Sequence, residues 1–381
     1  MIPYGKQDIT QEDINEVLEV LNSDFLTQGP KVPEFELAIS NYVQCKYALA
    51  TNSATSALHI ACLALGVSKG DWVWTSVNSF VASSNCALYC GAYVDFIDID
   101  PQTGNICLTT LEAMLCKAKH ENKLPKVIIP VHFAGQSCNM PQIFELAQRF
   151  GVAIIEDASH AIGGEYHSGK IGNCQYSDIT VFSFHPVKII TTAEGGIAVT
   201  NKKELANKMA LFRSHGITKD PNSMVNNPEG SWYYEQQVLG FNYRMTELQA
   251  SLGISQLKRI DEYIKLRNCK AQYYDNALKL LPLTPLDVVH GKSAYHLYVI
   301  KLNDSSLHSK VFTALKEAQV GVNLHYIPIS TQPYYQKLGY NFTAHPNALD
   351  YYSRAISIPL FPTMSKNEQD YVINVLSKIL T

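Results

Sequence analysis

The chain has 381 residues, 46% of them hydrophobic, which rules out a disordered chain and is more length than one simple core needs. Its formal net charge is −3, from 31 basic and 34 acidic residues, with no basic block of the kind nucleic acid attracts. No apolar run reaches the length of a membrane span and Met1 to Asp8 do not read as a signal peptide, so the expectation is a cytoplasmic protein with no nucleic-acid and no membrane partner.

Residues 11–22 put Ile14, Val17, Leu18 and Leu21 on one helical face. Residues 24–33 read as a loop and 34–44 as a second helix. An alternation of short strands and helices follows. Strands are expected at 47–51, 72–75, 93–97, 127–130 and 153–156, with helices at 54–65, 80–90 and 140–150. The runs 179–184 and 197–199 read as two more buried strands. Strand–helix–strand order with short apolar strands predicts an α/β fold with a parallel or mostly parallel sheet flanked by helices. Residues 217–237, with Asn, Pro and Gly clustered at 221–230, read as a long loop. One long helix is expected from Thr246 to about Leu280, leading from a large domain (1–250) into a smaller α+β domain (251–381). In the latter, 294–301 and 321–325 read as strands and 308–319 as a helix. The last helix, 365–379, opens on Ser365 and Glu368, the spacing of a capping box.

Four features carry chemistry. Lys188 lies in a turn between two strands expected to be buried, where loss of water disfavours the ammonium and suits an imine-forming amine; an ordinary loop lysine is the alternative. Asp157 ends the apolar run Val152 to Glu156, and functional groups of open α/β sheets gather at carboxyl ends of strands. A carboxylate buried there needs a cationic partner, such as a protonated pyridine nitrogen, unless it merely caps the next turn. Asn52 to Ala57 join a strand to a helix with small and hydroxyl residues, which fits either a phosphate cup or a Ser/Thr N-cap. Ser183, five residues before Lys188, would add a hydroxyl to such a cup, and Phe80 stands just before a helix, either stacked on an aromatic cofactor or in the core.

Nothing in the chain reads as a P-loop, a dinucleotide fingerprint or an H-E-x-x-H metal motif. His132, His160, His185, His215 and His325 are too dispersed for a metal site. The nine cysteines are scattered and read as small buried apolar residues of a reduced protein.

Together these segments resemble the DegT/DnrJ/StrS family of sugar aminotransferases. The resemblance is carried by Asn52-Ser53-Ala54-Thr55-Ser56-Ala57-Leu58, Glu156-Asp157-Ala158-Ser159-His160, Phe182-Ser183-Phe184-His185 with Lys188, Glu194-Gly195-Gly196, Arg213-Ser214-His215-Gly216 and Gly240-Phe241-Asn242-Tyr243-Arg244-Met245. It runs from about residue 3 to 375. It implies a fold-type I, aspartate aminotransferase-like enzyme that uses pyridoxal 5'-phosphate and works as a homodimer with shared active sites. Lys188 would form the Schiff base with the cofactor and then move protons. Asp157 would pair with the pyridinium, His160 pack against the ring and Phe80 stack on it. Ala54, Thr55 and Ser183 would hold the phosphate, joined by Asn242 from the neighbouring subunit. Many relatives have Pro three residues before the stacking aromatic; here Val77 stands there, which fixes the backbone before Phe80 less firmly.

Leu26 to Pro30, His132 to Ser137, Thr191 to Gly196 and His325 to Pro328 resemble the members that aminate C4 of a UDP-linked 4-keto-6-deoxy-N-acetyl-L-hexosamine (UDP-2-acetamido-2,6-dideoxy-β-L-arabino-hex-4-ulose) on the way to pseudaminic acid. L-Glutamate would be the donor, and Tyr4, the loop Asp24, Phe25, Leu26 and Thr27, and His325, Tyr326, Pro328 and Tyr335 would line the nucleotide-sugar side. The alternatives are the same reaction on a D-xylo 4-ketosugar of a bacillosamine-type route, a pyridoxamine-dependent dehydratase (whose members typically replace the lysine with His), and a catalytically silent dimer. Lys188 argues against the dehydratase, and Lys188, Asp157 and Asn242 together against the silent dimer.

Overall fold

The computed structural model describes residues 1–381, Phe342 through its backbone only. After α1 (Gln11–Leu21) and α2 (Lys31–Val43) the chain runs β1 (Tyr47–Thr51), α3 (Ala54–Ala64), β2 (Trp72–Ser76), α4 (Ala82–Tyr89), β3 (Tyr93–Ile97), α5 (Leu108–His120), β4 (Val127–Ile129), α6 (Met140–Phe150) and β5 (Ala153–Asp157). A small hairpin, β6 (Glu165–Tyr166) with β7 (Gly169–Lys170), precedes β8 (Ile179–Ser183), β9 (Gly196–Thr200) and α7 (Lys203–Arg213). The main sheet has the order β1-β9-β8-β5-β4-β2-β3. Its pairs are parallel except those made by β9, which runs against both β1 and β8.

Alternate strand residues feed two cores. Ala48, Trp74, Ile128, Ile154 and Phe182 face α2, α5 and α6, whereas Leu49, Val73, Ile129, Ile155 and Val181 face α3, α4 and α7. Period-2 strands buried on both faces make a three-layer α/β/α sandwich. On β5 the same alternation sends Asp157 to the α3/α4 side and Glu156 to the other. Glu156 is fully buried there. It accepts hydrogen bonds from His132 Nε2 (2.7 Å), Ser177 (2.5 Å), Thr180 (3.0 Å) and the Tyr166 hydroxyl. His132 Nδ1 accepts the Cys138 N–H at 3.0 Å, so its proton sits on Nε2, toward Glu156. Glu156→Ala strands these four donors, and a loss of about 3 kcal/mol is expected. Urea unfolding checks it; a midpoint equal to the parent's would contradict it.

Beyond β10 (Ile217–Thr218) and β11 (Glu235–Gln236), which pair at the base of the expected loop, come α8 (Glu247–Leu257) and α9 (Ile260–Leu278). The single helix expected from 246 to 280 is thus two. Thr246 and Gln249 form the capping box that starts the first. The break falls at Arg259, which pairs with Asp13 of α1 at 2.6 Å, while Gln256 reaches the same carboxylate at 2.8 Å. A contact with the far end of the chain ends the helix, so no local stop signal announces it.

The remainder comprises β12 (Leu283–Pro285), β13 (Tyr298–Leu302), α10 (His308–Glu317), α11 (Pro333–Lys337), α12 (Pro346–Arg354), β14 (Ala355–Ile358) and α13 (Lys366–Leu380), with the antiparallel order β12-β13-β14 and its own apolar cluster. The capping box of Ser365 and Glu368 is present. The strand expected at 321–325 is absent: its backbone makes only a bridge from Asn323 to Ser357, next to one from Val320 to Ile2. The strand expected at 294–301 begins at Tyr298. Ahead of it, Ala294 and Leu297 donate to the carbonyls of Gly135 and Ala134 in the main body (2.8 and 3.2 Å). Helices α5 and α7 were not expected, although Leu111, Leu115 and Ala118 of α5 follow helical spacing.

Candidate active site

A cavity of about 440 Å3 opens where β1, β2, β5 and β8 end. Parallel strands deliver all their carboxyl ends to one edge, so residues far apart in sequence meet there. Thr51 and Ser183 flank Gly196 across β9. A Cβ on Gly196 would come within 2.3 Å of the Ala54 nitrogen and 2.5 Å of its Cα, so only glycine lets the first turn of α3 settle on the sheet. Ser53 caps that turn through Ser56 N–H (3.1 Å), leaving the N–H groups of Ala54 and Thr55 without helical acceptors. Gly196→Ala is expected to lift the turn and cost about 1–3 kcal/mol, read as a lower unfolding midpoint; an unchanged midpoint would show that the sheet can yield there.

Asp157 is buried on the opposite side of the floor. Its Oδ2 accepts from Ser83 Oγ of α4 (2.6 Å); its Oδ1 accepts from Ser159 Oγ (2.6 Å) and N–H (3.1 Å). Lys188, in the turn closed by its N–H to the His185 carbonyl (2.9 Å), lines the same cavity. Burial pushes its pKa down to about 8 against the opposing pull of Asp157. His325 is pushed down to about 3 by burial and by Lys188. His160 and His296 lie well below the ordinary imidazole value for the same two reasons, with His325 adding to the effect on His160 and His160 to that on His296. These three imidazoles are therefore neutral at pH 7.

Burial and Asp157 keep the Tyr326 phenol protonated, and it lies 3.0 Å from His160 Nε2. Donating there puts the His160 proton on Nδ1, a buried atom with no partner. Phe80 is 60% exposed on the cavity rim, so the core alternative fails, and its ring centroid is 6.4 Å from that of Tyr326. Tyr326 is anchored by its N–H to Asn78 (3.0 Å), which docks the C-terminal segment on the β2–α4 loop.

The structure thus brings Lys188, Asp157, Ala54, Thr55, Phe80, His160, Ser183, Tyr4, His325 and Tyr326 around one cavity. It places the other expected residues elsewhere. Tyr335 is 1% exposed in the core, bonded to Ser84 and Asn85 (2.6 and 2.7 Å), and Pro328 is buried, its carbonyl accepting from Thr331. Both are corrections: neither lines this cavity, because Tyr335 of α11 packs on Phe96 and Pro328 leads into Ile329, whose N–H bonds the Val77 carbonyl at 2.9 Å. Asp24, Phe25, Leu26 and Thr27 form an exposed loop away from it, where the Leu26 carbonyl accepts the Glu247 N–H at 3.0 Å. Asn242 is exposed and pairs with Ser214. Sequence reasoning missed Ser83, Ser159, Glu194 and His296. The His296 ring lies 4.4 Å from that of His160. No local signal marks Ser83 or His296, since each reaches the site only through tertiary packing.

Residues 7–377 match the family model described as the DegT/DnrJ/EryC1/StrS aminotransferase family. The spore coat polysaccharide biosynthesis protein SpsC of Bacillus subtilis (strain 168) is 40% identical over 386 residues, covering 100% of this chain and 97% of its own. A UDP-4-amino-4,6-dideoxy-N-acetyl-beta-L-altrosamine transaminase of Campylobacter jejuni (serotype O:23/36, strain 81-176) is 39% identical over 384 residues, covering 100% and 98%. Among solved structures, Helicobacter pylori PseC, an aminotransferase involved in the biosynthesis of pseudoaminic acid, superposes with a TM-score of 0.91 at 33% identity, covering 100% of this chain and 99% of that one. Solved relatives of this fold hold the cofactor in its PLP and PMP forms.

Proposed function

From the premise that this chain belongs to the DegT/DnrJ/EryC1/StrS aminotransferase family, and is a pyridoxal 5'-phosphate-dependent sugar aminotransferase, we propose that it moves the amino group of L-glutamate to C4 of a UDP-linked 4-keto-6-deoxy-N-acetyl-L-hexosamine, the L-arabino 4-ulose of pseudaminic acid biosynthesis. The amino-transfer part rests on the pairing, on one cavity floor, of an amine tuned to about pH 8 with a carboxylate held by two serines, and the choice of sugar on the likeness to the Campylobacter jejuni transaminase and Helicobacter pylori PseC.

The residues present fit the cofactor. The first turn of α3, lowered onto Gly196, offers N–H groups and the Thr55 hydroxyl to a phosphate, with Ser183 beside it. Asp157 has three of its carboxylate positions filled by serine donors, and the fourth is free for a pyridine N–H. The imidazole of His160 and the exposed Phe80 ring line the same cavity and are suited to flank an aromatic ring. Bound there, pyridoxal phosphate supplies an electron sink and carries the amino group between donor and acceptor.

The chain's own work is proton control. Asp157 keeps a proton on the pyridine nitrogen. Lys188 Nζ takes the proton from Cα of glutamate and, in the second half, delivers one to C4 of the sugar from its own side. An amine tuned to about pH 8 can do both, since each protonation state is within reach near neutral pH. Tyr326 and His325 come from the C-terminal segment and close the sugar side together with Tyr4, whose ring centroid is 5.6 Å from that of His325.

The reading includes a homodimer in the cytoplasm, with a large domain over 1–250, a small one over 251–381, and Asn242 and the 24–27 loop serving the neighbouring subunit's cavity. Their exposure, and that of Trp232 and Leu239 on the same segment as Asn242, support this. A monomer in sedimentation at assay concentration would contradict it. The sugar is tested by offering the purified enzyme UDP-linked L-arabino and D-xylo 4-keto-6-deoxy N-acetylhexosamines with L-glutamate and following 2-oxoglutarate. Preference for the L-sugar is expected. Preference for the D-sugar would move the enzyme to another route, and turnover of neither would overturn the sugar assignment.

A further inference from the structure

None of the nine cysteines lines the cavity, and two of them, Cys116 and Cys269, are exposed rather than buried as expected. A wall residue that amino transfer leaves without a part is His296. Its ring lies 4.4 Å from that of His160, tilted by 47°, and its Nδ1 is buried without a partner. His160 is held by one side-chain hydrogen bond, between its Nε2 and the Tyr326 hydroxyl (3.0 Å). One such bond lets a ring turn about it, so the orientation of His160 depends on what packs beside it: His296, and Phe133 with its centroid at 6.1 Å.

The backbone that carries His296 is tightly fixed. Gly135 stands between it and His160, with a φ of +103°; a Cβ there would come within 2.8 Å of the Tyr295 and His296 nitrogens and 3.1 Å of the His160 carbonyl oxygen. Tyr295 takes a φ of 46°, which a bulky side chain rarely adopts. Arg267 of α9 is buried, and no carboxylate pairs with it among the described residues. Its Nη1 donates instead to the carbonyls of Tyr295 (3.1 Å), His296 (3.4 Å) and Leu360 (3.0 Å). Leu360 in turn donates its N–H to the Tyr4 carbonyl (3.1 Å). A strained residue and a buried cation without a counter-charge both destabilise a fold, and such features gather where a fixed geometry serves function.

We propose that His296 is a positioning residue for the site: held from behind by Arg267, its ring braces the His160 imidazole that packs on the cofactor. Both imidazoles are neutral, so they meet without charge repulsion. His296 acts by contact, since its buried nitrogen has no partner to lose. Another flat ring should therefore serve, whereas a small side chain leaves a void into which His160 can turn. Through Leu360 the same guanidinium also holds Tyr4, and so ties the His160 wall to the sugar side. The proposal rests on the reading that His160 packs against the cofactor ring, and not on the choice of sugar.

The test compares holoenzymes of the parent, His160→Ala, His296→Ala, His296→Phe and Arg267→Lys by two readouts that need no turnover. One is the visible circular dichroism of the bound cofactor, scaled to the cofactor present. The other is the cofactor's dissociation constant by equilibrium dialysis. The dichroism of an achiral chromophore reports how firmly its surroundings fix it. His296→Ala is expected to weaken that band and to raise the dissociation constant by up to about tenfold, in the same direction as His160→Ala. His296→Phe should recover most of both. Arg267→Lys, which keeps the charge but not the reach to three carbonyls, should show part of the loss. A lower unfolding midpoint of His296→Ala with a parent-like band and dissociation constant, beside altered ones in His160→Ala, would overturn the proposal alone. Parent-like values in His160→Ala would overturn the placement of the cofactor ring on His160, and this proposal with it.

Discussion

Lys188→Ala is expected to lower kcat for amino transfer by on the order of 10^3-fold or more, with the fold intact. Lys188 is the one lysine among the described cavity residues, and the neutral imidazoles around it are poor substitutes: burial and the Lys188 charge hold His325 down to about 3, too weak a base for a carbon acid. The same burial makes the lysine costly to the fold. Its folded pKa of about 8 lies below the ordinary 10.5 of an unfolded chain. Between those values the unfolded state binds more protons, so stability rises with pH across that window, and the full penalty applies below pH 8. Cofactor-free Lys188→Ala is therefore expected to be more stable than the cofactor-free parent at pH 7. The gain is about 1–3 kcal/mol, reduced from the full shift because the amine faces a water-accessible cavity. It should shrink toward zero as the pH approaches 10.5. Denaturant unfolding at pH 7 and 10 measures it, and equal stabilities at pH 7 would mean the amine is not desolvated. Turnover within tenfold of the parent would remove Lys188 from the chemistry.

Asp157→Asn is expected to cost on the order of 10^2-fold in kcat, with a smaller change in KM. Asparagine has the same shape and can still bond Ser83 and Ser159, whose hydroxyls turn to suit, so the floor of the cavity should persist. The charge does not, and a neutral amide cannot hold a proton on a pyridine nitrogen. The expected signature is an altered pH dependence of the bound cofactor's absorbance together with the loss of kcat, which a purely structural defect would not give. Asp157→Glu is not expected to rescue, because the longer side chain leaves the two serine donors at 2.6 Å without their acceptor positions. A kcat within threefold of the parent would show that Asp157 serves only to cap the Ser159 turn.

The sequence by itself determined the layer architecture and several of the side chains that meet at the cavity. Period-2 apolar strands such as 153–157 and 179–183, the helices between them, and the Ser365–Glu368 box are each encoded within a few neighbouring residues, so they read directly. Lys188, Asp157 and the 52–57 cup read for the same reason: each stands where a strand turns toward a helix or loop. Tertiary structure alone decided which other side chains join them. Ser83 meets Asp157 across 74 residues, Tyr326 meets His160 across 166, and Asp13 breaks the helix at Arg259 across 246. Tyr335 and Pro328 show the converse, since tyrosine and proline in a loop-rich segment suit a ligand wall or a core equally well until Tyr335 packs on Phe96 and Ile329 bonds the Val77 carbonyl. Periodicity and capping are set by neighbours along the chain, whereas a contact between distant residues depends on how every intervening element packs, and no local pattern specifies that.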